Sequence, residues 1–467
     1  MTGTDTARDT LWNAAYGCTI ILLILLQSLM EWTGLTWPEA PAALVLLVVV
    51  AFLVRAASPV GRAFLAVSAA LTIGLILTRP DWGAIVWPAL VRTGFLAAFF
   101  CSLSLLRNVA QSSPAMATAG TYLASQPPGR RYLALTTGAH AFALVLNYGA
   151  IQLLGTLSLT SARTEPDDYI RNTRIRRMLL AVHRGFVSSL SWSPLAFSIV
   201  VIVSVIPGTS WSGIVGPGLV IGVMLLGTGW AMDTIFKPRP SGRKPAVQDP
   251  GHWTALLPLG GLMLLMLATI LLVEETLHVR VIGIVLVAVP VISMIWLAIQ
   301  LGDSKAWAAR MKAYVVDELP GFRREVLLIA SASYIGITGS ALALPWMEAS
   351  GFDLGMVPTW LLLLALLWIV PALGQIGANP ILSVSLIGPL LPPAAQLGVT
   401  PTALANPLLC GWLLTGLTSP FTAVTLLIAR FGGISPLQVA WDWNRAYFIA
   451  IVALLSGWTL VYAYVLT

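Results

Sequence analysis

The sequence predicts an all-α polytopic membrane protein with about eleven transmembrane helices plus two re-entrant hairpins in an inverted repeat. Composition, the spacing of apolar runs and the placement of basic residues carry that prediction. Of 467 residues, 57% are hydrophobic and only 10% charged, and the mean hydropathy is +0.86. Water-soluble domains do not reach such values, so the solvent is lipid. Apolar runs long enough to cross roughly 30 Å of hydrocarbon recur along the chain, and each must be helical because lipid offers no partner to an open backbone N–H or C=O.

Full spans are expected at 12–33, 39–55, 61–78, 86–110, 178–207, 213–233, 253–274, 281–301, 325–346, 403–430 and 443–465. The first follows an acid-bearing N-terminus, lacks a small-residue cleavage site and exceeds a signal-peptide core, so it is expected to remain as a span. Two further stretches, 131–162 and 358–397, are each broken near the middle at a polar position. Arg130 and Arg131 precede the first and Arg163 follows it. Both ends therefore belong on one side of the membrane, which a hairpin satisfies. The amphipathic segments 112–128 and 303–322 read either as interfacial arms or as Ala-rich packing.

A net charge of +7 would suggest nucleic acid in a soluble protein. Here the basic residues lie in short loops between spans, so they encode orientation and no nucleic-acid partner is expected. A cytoplasmic N-terminus puts Arg8, Arg55, Arg62, Arg107, Arg130, Arg131, Arg163, Arg171, Arg174, Arg176, Arg177 and Arg184 inside. It puts Lys237, Arg239, Arg243, Lys244, Lys305, Arg310, Lys312, Arg323, Arg324, Arg430 and Arg445 there too, leaving only Arg79 and Arg280 outside and Arg92 within a span. The C-terminus is then external, in an inner (plasma) membrane of bacterial type. Trp12, Trp32, Trp37, Trp82, Trp87, Trp211, Trp230, Trp253 and Trp346 fall near span ends and read as interface anchors. Cys18, Cys101 and Cys410 show no metal-ligand spacing and receive no redox role.

With the first span (1–37) set aside, five spans and one hairpin fall on each side of a cytoplasmic linker at 236–252. The repeats are 38–235 and 253–467, and an odd number of crossings inverts one against the other. Pro88, Arg92 and Asn147 recur 232 positions on as Pro320, Arg324 and Asn379. Gly185, Ser193 and Pro194 recur 226 positions on as Gly411, Ser419 and Pro420. An array of unrelated membrane helices is the alternative.

Pro194 and Pro420 fall inside spans, where proline removes a backbone hydrogen bond and frees a carbonyl to face a ligand. Serine and threonine crowd both points: Ser188, Ser189, Ser191 and Ser193 at the first, Thr415, Thr418, Ser419 and Thr422 at the second. Such interrupted helices present carbonyls to cations and helix N-termini to anions near the midplane; a structural kink is the plainer reading. The hairpin tips carry Asn147 and Asn379, which either contact a ligand or cap their own backbone. No Asp or Glu lies mid-span, which argues against a carboxylate proton relay. His140 and His183 are the titratable groups left for one, and hydrogen-bonded packing accounts for them equally.

The order of these motifs resembles the ion transporter superfamily, which includes divalent anion/sodium symporters, citrate carriers, arsenite exporters and some sodium/proton antiporters. Asn147-Tyr148-Gly149-Ala150-Ile151 resembles its first hairpin tip, and Gly377-Ala378-Asn379-Pro380-Ile381-Leu382-Ser383 the second. Leu190-Ser191-Trp192-Ser193-Pro194 and Leu417-Thr418-Ser419-Pro420-Phe421-Thr422 resemble its broken helices. The resemblance implies a homodimer whose transport domain moves as an elevator. It implies one sodium site from Asn147, Ser189, Ser191 and Ser193, and a second from Asn379, Thr415, Thr418 and Ser419. Substrate contacts would come from Asn147, Asn379, Trp192, Ser193, Ser383, Ser419 and Thr422. Tyr148 and Pro380 stand where that family has a small polar residue, and Trp192 intrudes at the first break, which points away from a small dicarboxylate toward a bulkier anion. The expected function is secondary active transport of a small anion, an organic carboxylate or similar, with sodium as coupling ion, no cofactor, and lipid as surroundings. The competing expectation is a polytopic enzyme acting on a lipid-linked substrate, such as a glycan polymerase or ligase.

Overall fold

A computed structural model describes residues 3–127, 129–163, 165–236, 251–351 and 353–467. Most of the expected linker, with Lys237, Arg239, Arg243 and Lys244, lies outside the described residues. The chain is helical throughout: α1 Gly3–Thr33, α2 Glu39–Arg55, α3 Pro59–Thr78, α4 Trp82–Gln111, α5 Pro114–Ala124, α6 Arg131–Leu146, α7 Tyr148–Ala162, α8 Asp168–Ser189, α9 Phe197–Val205 and α10 Trp211–Ile235. After the linker come α11 Leu257–Leu277, α12 Val281–Leu301, α13 Ser304–Ala313, α14 Arg323–Ala349, α15 Thr359–Gln375, α16 Pro380–Ile387, α17 Pro401–Thr418, α18 Ala423–Gly432 and α19 Arg445–Val461.

Among the described residues nine stretches are long and apolar enough to cross a membrane, with shorter apolar helices at Thr359–Gln375 and Pro380–Leu390. The difference from eleven has two local causes. α2 holds 17 residues, and the span expected at 178–207 divides into α8 and α9. Outward faces are apolar: only 11% of the α3 window is buried, as suits a helix bathed in hydrocarbon. The molecule is a polytopic α-helical membrane protein.

The chain forms two compact units, each drawing on both sequence halves. The first comprises Met1–Val109, Ala268–Asp353 and Ile381–Leu391. In it α3 packs along α14, and α1 packs on α2, α12 and a π-helical turn at Tyr314–Glu318. Trp32 donates its indole N–H to Gly283 O (3.0 Å), and Glu31 pairs with Arg280 at 2.5 Å. The 303–322 segment therefore carries a buried residue, Tyr314, whose hydroxyl lies 2.5 Å from Ser104 Oγ.

The second unit comprises Ala110–Leu267, Leu354–Pro380 and Pro392–Thr467. α6 packs along α8 and α15 along α17; α10 packs on α8 as α19 does on α17; α9 packs on α17 as α18 does on α8. Three helix pairs of the first half thus have packing counterparts in the second. Small residues set the approach, since helices in lipid associate chiefly by close van der Waals fit. A Cβ on Gly185 would stand 2.2 Å from Thr136 O of α6, and one on Gly411 2.8 Å from Leu367 O of α15. The two recurring glycines do the same work in both halves.

Candidate functional site

The stretch 131–162 folds back on itself. Its ends meet, because Arg131 Nε donates to Gln126 O (2.7 Å) and Ser161 Oγ to Ala124 O (3.3 Å). Along its length Leu123 of α5 touches Gly138, nine residues before Asn147, while Gly120 faces Leu153 and Leu157 beyond it. α5 therefore packs across both arms and is no isolated interfacial arm. The reversal falls on one residue, Asn147, with φ 49° and ψ −130°, a region that favours glycine. Its side chain does not cap α7, which removes the capping explanation for the asparagine. Next to it the Tyr148 ring stacks on Phe186 of α8 at 5.2 Å, so the tip lies beside the end of that helix.

α8 ends at Ser189, and an irregular stretch runs to Ala196 before α9 begins. Ser193 Oγ accepts from Leu195 N–H at 3.2 Å, shaping the turn around Pro194. Trp192 is held rather than loose: its indole N–H donates to His140 Nε2 (3.0 Å), its ring stacks on that imidazole, and its carbonyl accepts from Trp211 Nε1 (2.7 Å). Indole nitrogen only donates, so His140 Nε2 is the bare nitrogen and Nδ1–H donates to Ser188 Oγ (2.8 Å). Ser188 in turn donates to Gly185 O (2.7 Å). Trp211 is consequently no interface anchor: it is buried, because the break offers its N–H a free carbonyl. Gly218 of α10 admits that geometry, since a Cβ there would lie 2.2 Å from Ser191 O.

The second half shares the turn but not the return arm: α7 belongs to the second unit, whereas Ile381–Ile387 of α16 belong to the first, where Ser385 meets Gly336 of α14. Thr359 Oγ1 donates to Leu397 O (3.0 Å), so the ends of 358–397 also meet. α17 ends at Thr418, and Ser419 Oγ accepts from Phe421 N–H at 3.2 Å, the same turn as at Ser193. Ser419 Oγ also donates to Gly374 O (2.7 Å), and Gln375 Nε2 donates to Thr418 O (3.2 Å), tying the first arm to the break just before the tip at 376–379. Thr422 Oγ1 caps α18.

The two breaks are joined through α8 and α17. His183 Nε2 lies 2.9 Å from Gly416 O, two residues before Thr418, and Val187 meets Gly416. The Asn444 amide nitrogen faces His183 Nδ1 (3.4 Å) and Val439 O (3.0 Å), so Nδ1 accepts and Nε2–H donates to the carbonyl. Asn444 Oδ1 accepts from Arg184 Nε (3.2 Å). Arg184 also donates to Tyr132 OH (3.1 Å) and lies over the Tyr447 ring at 4.1 Å. The sequence reading placed Arg184 in a cytoplasmic charge run; it is 6% exposed. No carboxylate among the described residues forms an ion pair with it.

Of the residues singled out from sequence, Asn147, Trp192, Ser189, Ser191, Ser193, Asn379, Thr415, Thr418, Ser419 and Thr422 all belong to the second unit. Ser383, on α16, belongs to the first. Ser189 donates to Phe186 O, Ser191 to Ser188 O, Thr415 to Gly411 O and Thr418 to Leu414 O. With their protons so engaged, these hydroxyls offer lone pairs only, the donor chemistry a hard monovalent cation takes. Sequence reasoning missed Arg184, Asn444, Gln375 and Trp211 as parts of this polar cluster.

No protein-family model matches the chain, and a search of curated proteins returns no match. Two solved transporter structures share the fold. The YdaH transporter of Alcanivorax borkumensis, described as having an unusual topology, is 15% identical, covers 85% of this chain and 98% of its own, and superposes with a TM-score of 0.58. MtrF of Neisseria gonorrhoeae, described with a class of antimetabolite efflux pumps, is 12% identical over 87% of this chain and 95% of its own, with a TM-score of 0.57. At these identities the likeness concerns fold alone.

Proposed function

We propose that the protein is a secondary active transporter that moves a small anion, an organic carboxylate or similar, coupled to sodium through an elevator-type alternating-access cycle. One observation carries the reading: two helices broken alike are bonded to each other through His183 and Gly416 O, in one compact unit with both tip asparagines. The C-terminal ends of α8 and α17 bring partial negative charge there, which with hydroxyl lone pairs and carbonyls favours a cation. Arg184 adds a buried positive charge with no ion-paired carboxylate among the described residues, which favours a negatively charged cargo. Separation of the chain into a unit holding the polar breaks and a second unit suits an elevator. The transporters that share the fold, and the resemblance to the ion transporter superfamily, support the same class. A homodimer in the inner membrane, with the N-terminus cytoplasmic and the C-terminus external, belongs to this proposal.

Purified protein should unfold at a higher temperature in sodium chloride than in choline chloride, and the matching anion should raise it further, because a ligand confined to the folded state stabilises it by RT ln(1 + [L]/Kd). The anion found in that screen should then enter or leave proteoliposomes under a sodium gradient. Identical unfolding in both salts, with no sodium-driven flux for any anion of the panel, would overturn the proposal.

A further inference from the structure

We propose that the first compact unit holds a binding site for the phosphate headgroup of an anionic phospholipid, in a cavity between the α2–α3 turn and the start of α14. The cavity measures about 40 Å³, with Leu53, Ser58, Gly61, Arg323, Arg324 and Leu327 among its walls. Three helix ends converge on it: α2 finishes at Arg55, α3 begins at Pro59 and α14 begins at Arg323. The apolar walls, Leu53 and Leu327, belong to the spans, whereas the guanidinium groups belong to their ends. A lipid has the same division between acyl chain and headgroup.

The charge is fixed in advance. One Arg323 nitrogen donates to Asn13 Oδ1 (2.8 Å), and the guanidinium lies over the Tyr16 ring at 4.7 Å. Among the described residues its Nε–H is buried without a partner, a cost that an accepting oxygen within reach would remove. Arg324 stands beside it, exposed. The first turn of the 20-residue helix α3 adds the positive end of its dipole, with Ser58 Oγ accepting from Gly61 N–H (3.2 Å). At the end of α2, Leu53 O and Val54 O are taken up by the Ala56 and Ala57 N–H groups. Glu325 is exposed and does not line the cavity. Gly61 makes the close approach possible, since a Cβ there would stand 2.6 Å from Leu327 Cδ2. Two arginines, a helix N-terminus and apolar walls at span ends match the basic pockets between helices that take anionic headgroups.

The test compares thermal unfolding of the detergent-purified chain with added phosphatidylglycerol, phosphatidylcholine of the same acyl chains, or inorganic phosphate. Phosphatidylglycerol should raise the unfolding temperature, and the other two should not. Arg324→Gln should weaken that response about fivefold in apparent affinity, the loss expected for one arginine at an anionic surface. Among the described residues the Arg324 side chain has no hydrogen-bond or ion-pair partner, so it serves better than Arg323. Native mass spectrometry should find fewer retained phosphatidylglycerol molecules on Arg324→Gln. Equal responses to the two lipids, or an unchanged affinity in Arg324→Gln, would overturn the site. An equal response to inorganic phosphate would overturn its assignment to lipid.

Discussion

Replacing Asn147 by glycine should leave the chain at least as stable toward heat as the native protein and should remove its transport. The backbone at this tip, φ 49° and ψ −130°, costs a residue with a Cβ about 1–3 kcal/mol, and glycine pays nothing for it in the folded state. Glycine loses more chain entropy on folding, roughly 0.5–1 kcal/mol, so the balance favours the variant by about 0–2.5 kcal/mol. The asparagine side chain does not recover the strain locally, because it makes no cap on α7. A strained residue whose side chain does not cap the helix it begins points to a ligand contact. Losing one hydrogen bond or ligand oxygen to a charged species is worth about 1.5–3 kcal/mol, or roughly a ten- to hundredfold loss of sodium-driven flux. Asn147→Ala would confuse the result, since alanine keeps the strain. Unfolding in choline chloride reports the first effect and proteoliposome flux the second. Native flux in Asn147→Gly would sink the assignment; a sharp fall in stability would show that the amide serves the fold.

Sequence made the breaks and tips legible because each interrupts an apolar run with residues that cannot be bland in lipid. Pro194 and Pro420 deny a backbone bond, and Asn147 and Asn379 put an amide where hydrocarbon offers no partner. The recurring glycines were visible as spacing, although only the packing explains them: Gly185 and Gly411 let backbone approach backbone. Arg184 was misread because it closes a run of arginines whose other members suit a membrane surface. α8 begins at Asp168, and sixteen residues of helix carry the chain about 24 Å, so the last arginine of the run is delivered into the unit instead of its edge. Trp211 was misread for a related reason. A tryptophan after a capping serine at a span start has the pattern of an interface anchor, and only the carbonyl freed at Trp192 reveals its other use. Asn444 and Gln375 carried no local signal, since their partners lie far along the chain.

Arg184 and Asn444 give the second large effect, and its signature is a difference of sign. Asn444→Ala strips the buried guanidinium of its Oδ1 acceptor and removes the amide donor from His183 Nδ1 and Val439 O, which should destabilise the chain by about 2–3 kcal/mol. Arg184→Met removes the charge itself and fills much of its space, so it should be close to neutral or stabilising, as replacing buried charge by an apolar side chain often is. In the Arg184→Met background, Asn444→Ala should then cost clearly less, and the double-mutant cycle should return a coupling of about 1–2 kcal/mol. Transport should follow the opposite order. If the buried cation is kept because it offsets the charge of an anionic cargo, Arg184→Met should raise the KM for that anion by tenfold or more while its stability holds. Arg184→Lys keeps the charge but not the planar fork that meets Tyr132 and Asn444, and it should retain most of the anion affinity. Equal KM in the native, Met and Lys forms would assign Arg184 to helix packing alone. Equal losses in Met and Lys would assign it to hydrogen-bond geometry rather than charge.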